Sequence, residues 1–350
     1  MKILVINSGS SSIKYKLFDM PAEKNPVHGV IEHIAERGSK IKDHYAGLKV
    51  VLGRVKRVDL VGHRVVHGAE SFKKPTLINP SVLRKIKGCS RLAPLHNPAN
   101  LTGIMACKKL LPGIRQVAVF DTAFHQTLPD YAYIYGLPYE YYKRFCIRKY
   151  GFHGTSHEYV AHEAARRLGK PISRLKIITC HLGNGCSITA VERGRSIDTS
   201  MGFTPLEGLI MGTRCGDIDP ALITYIMQKK RIGIPEVEDI LNKKSGLIGV
   251  SGISNDMRTL EARAGKKYGR AKLAIDIFIY RIKKYIGAYT AAMSGCDCLV
   301  FTGGIGENHN RIVRAISKDV FSYMKKKPGI MVIPTNEELM IARKAYKLVK

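Results

Sequence analysis

The sequence predicts an α/β chain built from two copies of one unit, and three observations carry that prediction. First, Lys2–Phe18 is an apolar strand, a turn of small residues and a second, alternating strand, and Lys176–Val191 repeats this plan about half a chain later. A period of half the chain points to a duplicated domain rather than a solenoid. Second, strand-like and helix-like stretches alternate along the rest of the chain. Third, 350 residues are long for one core and comfortable for two domains.

In chain order, the first hairpin turns through Ser8-Gly9-Ser10-Ser11-Ser12. Its backbone N–H groups are little obstructed by side chains, which suits a phosphate. Strands are expected at 58–63, 115–120, 297–302 and 330–334. Helices are expected at 98–111, 156–168, 219–229, 236–243, 271–293 and 337–348. The second hairpin turns through Gly183-Asn184-Gly185. Two such turns facing one another could clamp a polyphosphate between two domains; two unrelated hairpins are the plainer alternative. The strand Cys298–Thr302 runs into Gly303-Gly304-Ile305-Gly306-Glu307-Asn308, with a helical pattern from Arg311. Glycine at a strand-to-helix turn lets a ligand approach the backbone and a helix N-terminus. Neither a G-x-x-x-x-G-K-[ST] loop nor a full dinucleotide fingerprint is present, so an ATP enzyme here would not be a P-loop one. The last helix follows Pro334-Thr335-Asn336, where Thr335 or Asn336 can cap it. Residues near 150 separate the halves.

Composition removes several classes. Hydrophobic residues make up 45%, too many for a disordered chain. Four apolar residues after Lys2 are too few for a signal peptide, and no apolar run could span a bilayer. These features imply a cytoplasmic protein without a membrane partner. The eight cysteines (89, 107, 146, 180, 186, 215, 296, 298) contain no C-x-x-C pair, so reduced thiols are expected rather than a zinc site. Lys and Arg number 57 against 28 Asp and Glu, a net charge of +29. Such a surface attracts anions, ATP or nucleic acid among them. The basic residues are dispersed, however, and no nucleic-acid-binding signature occurs, so nucleic acid is not expected as a partner.

Four polar clusters sit where apolar strands end or helices begin: His63–Gly68, Asp121–Gln126, Gly151–His157 and Met211–Pro220. Sites of α/β folds gather at the carboxyl ends of strands. Two arginines (Arg64, Arg214), a histidine (His153), a carboxylate (Asp121) and phosphate-cradling glycines suit phosphoryl transfer, which needs alignment and charge neutralisation more than covalent chemistry. Arg fits carboxylate or phosphate because its planar fork donates two parallel bonds. Each residue has a duller reading: a surface ion pair for a lone Arg, a structural role for a lone His, and a helix start for Asp219-Pro220. The residues alone therefore leave the substrate open.

The ordered blocks closely resemble acetate kinases over nearly the whole chain. Asn7-Ser8-Gly9-Ser10-Ser11-Ser12-Ile13-Lys14 is similar to the family's first signature, and Thr199–Gly208 through Gly212-Thr213-Arg214 to its second. Leu92–Pro98, Phe120–Gln126, Tyr150–His157, His181–Gly185, Gly303–Asn308 and Ile333–Glu338 match further blocks. The resemblance implies two duplicated actin-like (ribonuclease H-like) domains around an interdomain cleft, 1–150 and 151–336, with the helix at about 337–350 packing back on the first. It implies a homodimer, ATP or ADP as co-substrate, and Mg2+, with Mn2+ as an alternative ion.

By the same resemblance, Asn7 and Glu337 would sit near the metal. Ser10, Ser12, Lys14, His181-Leu182-Gly183-Asn184-Gly185, Asp256-Met257-Arg258 and Gly304-Ile305-Gly306-Glu307-Asn308 would hold the nucleotide. Arg64 and Arg214 would grip acetate and the phosphoryl group, His153 would stabilise the transition state, and Asp121 would be the catalytic carboxylate. Acetate is already ionised at neutral pH and needs no base. Val66, Leu95, Phe152 and Pro205 would surround the acyl methyl, with Val66 shortening the pocket against propionate. One methylene is worth only about 1–3 kcal/mol, so propionate should be poorer rather than excluded. Propionate and butyrate kinases of the same fold are the nearest rivals; an ATPase indifferent to carboxylates is a more distant one. The chain looks short between Phe18 and His63 and between Asn308 and Pro334. Ala69 stands where glycine is common. Cys186 stands where a smaller residue is common, and it could confer sensitivity to thiol reagents.

Overall fold

The computed structural model describes residues 1–350 apart from Leu95 and Lys267. The chain divides into two compact units. The first comprises Met1–Gln126, Gly154–Ser156 and Asn336–Lys350; the second comprises Thr127–His153 and His157–Thr335. The division expected near 150 thus falls inside the opening segment of the second unit. The C-terminal helix groups with the first.

The first unit is one six-stranded sheet with the order β3-β2-β1-β4-β6-β5. Its strands are β1 (Lys2–Ser8), β2 (Ile13–Asp19), β3 (Lys24–Ile31), β4 (Leu60–Val65), β5 (Thr76–Leu77) and β6 (Gln116–Phe120). β1, β2 and β3 form an antiparallel meander, while β1, β4 and β6 run parallel. Strand alternation assigns the two faces. Leu4 and Ile6 of β1, Ile13, Tyr15 and Leu17 of β2, and Val61 of β4 enter one core, closed by Leu48 and Val51 of the helix His44–Gly53 and by Ala106 and Cys107 of the helix Asn97–Leu110. A second cluster joins Val65, Ala118 and Phe120 to Phe72, Val82, Ile86 and Ile104. The opposite face is covered by the helix Glu337–Val349. A Cβ on Gly62 would come within 2.9 Å of Ile341 Cγ2, so glycine in β4 lets that helix lie close.

The second unit repeats the topology. Its sheet has the order β11-β10-β7-β8-β9, from β7 (Lys176–Leu182), β8 (Cys186–Glu192), β9 (Arg195–Thr199), β10 (Cys298–Thr302) and β11 (Gly329–Val332). β7, β8 and β9 form the meander; β7, β10 and β11 are parallel. The two similar hairpins, β1-β2 and β7-β8, therefore hold equivalent interior positions in two like sheets. Both stretches read as short still carry their elements: β3 and the helix His44–Gly53 in one, the helix Asn310–Ser317 and β11 in the other.

Local signals set several helix ends. Asn336 caps the last helix by accepting from Leu339 N at 3.2 Å. The helix expected from position 219 starts two residues later, at Ala221, whose N–H is accepted by Asp219 Oδ1 at 2.9 Å. The run Gly303–Asn308, expected as a turn, is itself a short helix. Glu307 Oε1 accepts from Gly303 N (2.8 Å), Thr302 Oγ1 (3.2 Å) and Thr335 N (3.2 Å), which ties the start of that helix to the end of β10 and to the strand exit at Thr335.

Candidate functional site

In the first unit the parallel strands β1, β4 and β6 end side by side, and the face covered by the C-terminal helix carries Asn7, Arg64 and the following Asp121. Arg64 is the hub. Its Nε and Nη2 both reach Asp121 Oδ2, at 2.9 and 2.6 Å, its Nη1 lies 3.5 Å from Asn7 Oδ1, and Glu337 Oε2 stands 3.6 Å from its Nε. Asp121 Oδ1 accepts from Thr155 Oγ1 at 3.0 Å, so the carboxylate is held from both sides and is 1% exposed. Burial alone would lower the Arg64 pKa, but Asp121 and then Glu337 outweigh it and raise it, so the guanidinium stays charged. The Glu337 carboxyl is raised, first by burial and then by repulsion from Asp121 and Glu338, with Arg64 and Lys14 opposing. Lys14 pairs with Asn7 across the hairpin, and Lys16 Nζ meets Glu338 at 2.9 Å.

The loop after β4 is fixed by two buried asparagines one helical turn apart. Asn100 Oδ1 accepts from Val66 N at 3.0 Å, and its Nδ2 donates to Ser8 O at 2.8 Å. Asn97 accepts from His67 N at 3.0 Å and donates to His67 O at 2.9 Å. Sequence reading gave neither a role, although Asn97 lies in the Leu92–Pro98 block; the signal was an i, i+3 pair of amides on one helix face. His63 and His67, grouped with Arg64 in the sequence, face the interior. His63 Nε2 meets Gln116 Oε1 at 2.7 Å, and burial pushes its pKa down to about 4 although Gln116 partly offsets this. Burial also lowers His67 to about 4, and its Nδ1 accepts from Ala69 N at 3.0 Å. Ala69 has φ 48°, a left-handed conformation that favours glycine and explains the residue expected there. Gly9 N donates to Ser12 O at 2.8 Å, closing the turn that holds Ser10, which is exposed, and Ser12.

In the second unit His153 stands at the N-cap position of the helix Gly154–Arg167 with φ 56° and makes no side-chain capping bond; it stacks on His181 at 4.3 Å and places Nδ1 2.9 Å from Ser187 Oγ. A side chain on Gly185 would lie 3.5 Å from both His153 Nε2 and Arg214 Nη1. Arg214 Nη1 otherwise reaches Pro205 O at 3.5 Å and Met211 Sδ at 3.7 Å, and burial lowers its pKa. Phe152 is buried and Pro205 half-buried in this unit, whereas Val66 belongs to the first. Leu95 lies outside the described residues.

A cavity of about 480 Å³ opens beside the second hairpin turn. Gly183, Asn184, Asp256, Met257, Arg258, Gly304, Ile305 and Asn308 line it, as the sequence grouped them, together with Asn255 and His309, which it did not. Asn255 Nδ2 donates to Asn184 Oδ1 at 3.2 Å, and His309 Nδ1 meets Glu261 Oε2 at 2.6 Å. Asp256 caps the helix Met257–Gly265. Five residues grouped with this cavity have other surroundings: His181 stacks on His153, and Gly185 lies beside His153 and Arg214. Leu182 is fully buried, Gly306 is packed against Phe301, and the Glu307 carboxylate is engaged by the three donors above. Ser10, Ser12 and Lys14 belong to the first unit. Cys186 is buried, its Sγ donates to Gly183 O at 3.1 Å, and burial pushes its pKa up to about 12. A thiolate is the reactive form, so the expected sensitivity of Cys186 to thiol reagents is not supported; Cys146 is the exposed thiol.

Among the described residues, no cluster of three His, Cys, Asp or Glu side chains could enclose a metal, and no helix is long and apolar enough to cross a membrane. Any divalent ion would need ligands from elsewhere. Mg2+ commonly takes one or two protein oxygens and completes its shell with substrate phosphates and water, and the oxygens of Asn7 and Glu337 suit that mode.

Residues 2–324 match the model of the acetokinase family. The acetate kinase of Halothermothrix orenii is 52% identical over 397 aligned positions, which cover all of both chains. Those positions outnumber the 350 residues here, so the relative carries residues that this chain lacks. Among solved structures, the Porphyromonas gingivalis acetate kinase superposes with a TM-score of 0.95 at 41% identity, covering 100% of both chains. A propionate kinase from Francisella tularensis subsp. tularensis SCHU S4 does so at 0.92 and 44%, covering 99% of both.

Proposed function

The chain belongs to the acetokinase family, and from that premise we propose that it transfers the γ-phosphoryl group of ATP reversibly to the carboxylate of acetate by direct in-line displacement. An acetate oxygen forms the new bond to phosphorus. The bond to the β–γ bridging oxygen breaks, and ADP leaves with that electron pair. The fold is the α/β, actin-like one of acetate and propionate kinases. The observation that carries the reading is the space over Gly185, bordered by His153 Nε2 and Arg214 Nη1. Two nitrogens converging over a backbone without a side chain suit the oxygens of a phosphoryl group.

Arg64 and Arg214 grip the acetate and the phosphoryl group, and His153 meets the equatorial oxygens. Asp121 positions Arg64 rather than removing a proton, since its Oδ2 is already engaged by the guanidinium. The nucleotide occupies the cavity beside Asn184, with Asp256, Met257, Arg258, Gly304, Ile305 and Asn308 around it and Asn255 and His309 added; Ser10, Ser12 and Lys14 belong to the phosphate end. Leu182, Gly306 and Glu307 shape the backbone there. Asn7 and Glu337 would hold Mg2+, which when bound neutralises phosphate charge. From the family resemblance we assign Val66, Phe152 and Pro205 to the acyl methyl.

The free thiols suit a reducing compartment, and we assign the enzyme to the cytosol. The second unit also exposes Tyr131, Tyr139, Phe145, Tyr225, Ile234 and Tyr280. Such side chains would gain burial in a contact between copies, and we assign them to a homodimer. Light scattering should report twice the 38.9 kDa chain mass; a monomer at micromolar concentration would remove that assignment.

Purified protein with Mg-ATP should give hydroxylamine-trappable acyl phosphate with acetate, less with propionate and least with butyrate, and chelation of the divalent ion should abolish it. The propionate kinase at 44% identity makes propionate the second reading, favoured if its kcat/KM exceeds that of acetate. ATP hydrolysis indifferent to every acid would overturn both.

A further inference from the structure

Within the second unit, four side chains form a hydrogen-bonded series that ends on His153. Thr179 donates its hydroxyl to Thr189 O at 3.4 Å, which leaves the Thr179 oxygen to accept from His157 Nδ1, 2.7 Å away. His157 is 0% exposed, where an imidazolium is costly. A neutral ring that donates at Nδ1 accepts at Nε2. The group at Nε2 is Ser187 Oγ, at 2.7 Å, so the single hydroxyl proton of Ser187 points to His157. The Ser187 oxygen then accepts from His153 Nδ1 at 2.9 Å. Neutral His153 accordingly carries its proton on Nδ1 and a lone pair on Nε2, the nitrogen that borders the space over Gly185. A lone pair there repels a phosphoryl oxygen, whereas an N–H attracts it.

We infer that Thr179, His157 and Ser187 are positioning residues that fix the proton arrangement of His153, so that its Nε2 meets a phosphoryl anion only as an imidazolium, one proton being taken from solvent as the anion arrives. The inference rests on the reading of His153 as the residue facing the transferred group. Arg214 beside the same space carries a like charge, and the His181 ring lies stacked 4.3 Å away, with His157 at 6.2 Å from His181. These neighbours disfavour a charged His153 until an anion compensates it. The proton returns to solvent when the phosphoryl product leaves.

Long-range proton–nitrogen correlation spectra of the full chain test this, with the His153 signals identified by their loss in His153→Gln. The free protein at neutral pH should show His153 neutral and protonated on Nδ1. Addition of Mg2+, ADP, acetate and aluminium fluoride, a planar phosphoryl mimic, should protonate both nitrogens. An Nε2–H tautomer in the free protein overturns the proton arrangement whatever the enzyme's reaction is. An Nδ1–H tautomer unchanged by the mimic overturns the coupling to the anion, and with it the placing of His153 at the phosphoryl group. Ser187→Ala should shift the free ring towards Nε2–H and lower kcat about tenfold with KM held within about twofold, while Ser187→Thr keeps the wild-type tautomer and most of the activity. Loss of activity with an unmoved tautomer would reduce Ser187 to a packing role and overturn the inference.

Discussion

Arg64→Ala should lower kcat/KM for acetate phosphorylation by about 100- to 1,000-fold, the scale of losing a donor aimed at transition-state charge, and should also destabilise the protein. The two effects have different origins. Removing the guanidinium leaves Asp121, 1% exposed, and Glu337 without the counter-charge that holds them. Breaking such a pair by deleting one partner costs about 3–5 kcal/mol. Arg64→Lys separates the contributions. An ammonium restores the charge, so most of the stability should return in urea unfolding. It cannot donate from Nε and Nη2 to Asp121 Oδ2 while a third nitrogen turns elsewhere, so most of the activity loss should persist. Wild-type kcat/KM in Arg64→Lys would mean that charge alone is used; unchanged stability in Arg64→Ala would mean that the ion pair contributes nothing net.

Gly185→Ala should lower kcat about 100-fold while leaving stability within about 0.5 kcal/mol of wild type. The reason is geometric. The added methyl would stand 3.4 Å from His153 Cε1 and 3.5 Å from Arg214 Nη1, ordinary contact distances that strain nothing in the free protein. Gly185 is also absent from the residues with positive φ, so alanine fits its backbone. The methyl does fill the space between the two nitrogens that we assign to the transferred phosphoryl oxygens. ADP affinity, measured by calorimetry, should change little, because the cavity that we assign to the nucleotide is lined by Gly183 and Asn184 rather than Gly185. Full activity in Gly185→Ala would move the phosphoryl group away from this space.

Much of the architecture was legible because it is encoded locally. Strand alternation and small-residue turns made the two hairpins visible, and the sheets β1-β2-β3 and β7-β8-β9 have the meanders those hairpins begin. The helices at 98–111 and 337–348 followed from their periodicity and end signals and lie within a residue of Asn97–Leu110 and Glu337–Val349. The polar clusters at strand ends were equally plain, since a parallel strand that leaves an apolar interior must end in residues that tolerate its rim.

Other features were not encoded locally. Neighbouring residues in a strand point to opposite faces, so His63 and Arg64 looked like one cluster and turn out to be separated by the sheet, one against Gln116 in the core and the other against Asp121. Asn97 and Asn100 acquire meaning only when their helix packs beside the loop at Val66 and His67. Ser187 looked like any strand serine until β8 paired with β7 and brought it between His153 and His157. The sequence by itself determined the repeated sheet, the turns and the residue types that gather at the strand ends, because propensity and period act over a few residues. The tertiary structure alone decided which carboxylate holds Arg64, which histidines are buried and which ring nitrogen of His153 borders the space over Gly185, because each depends on burial and on partners tens of residues away.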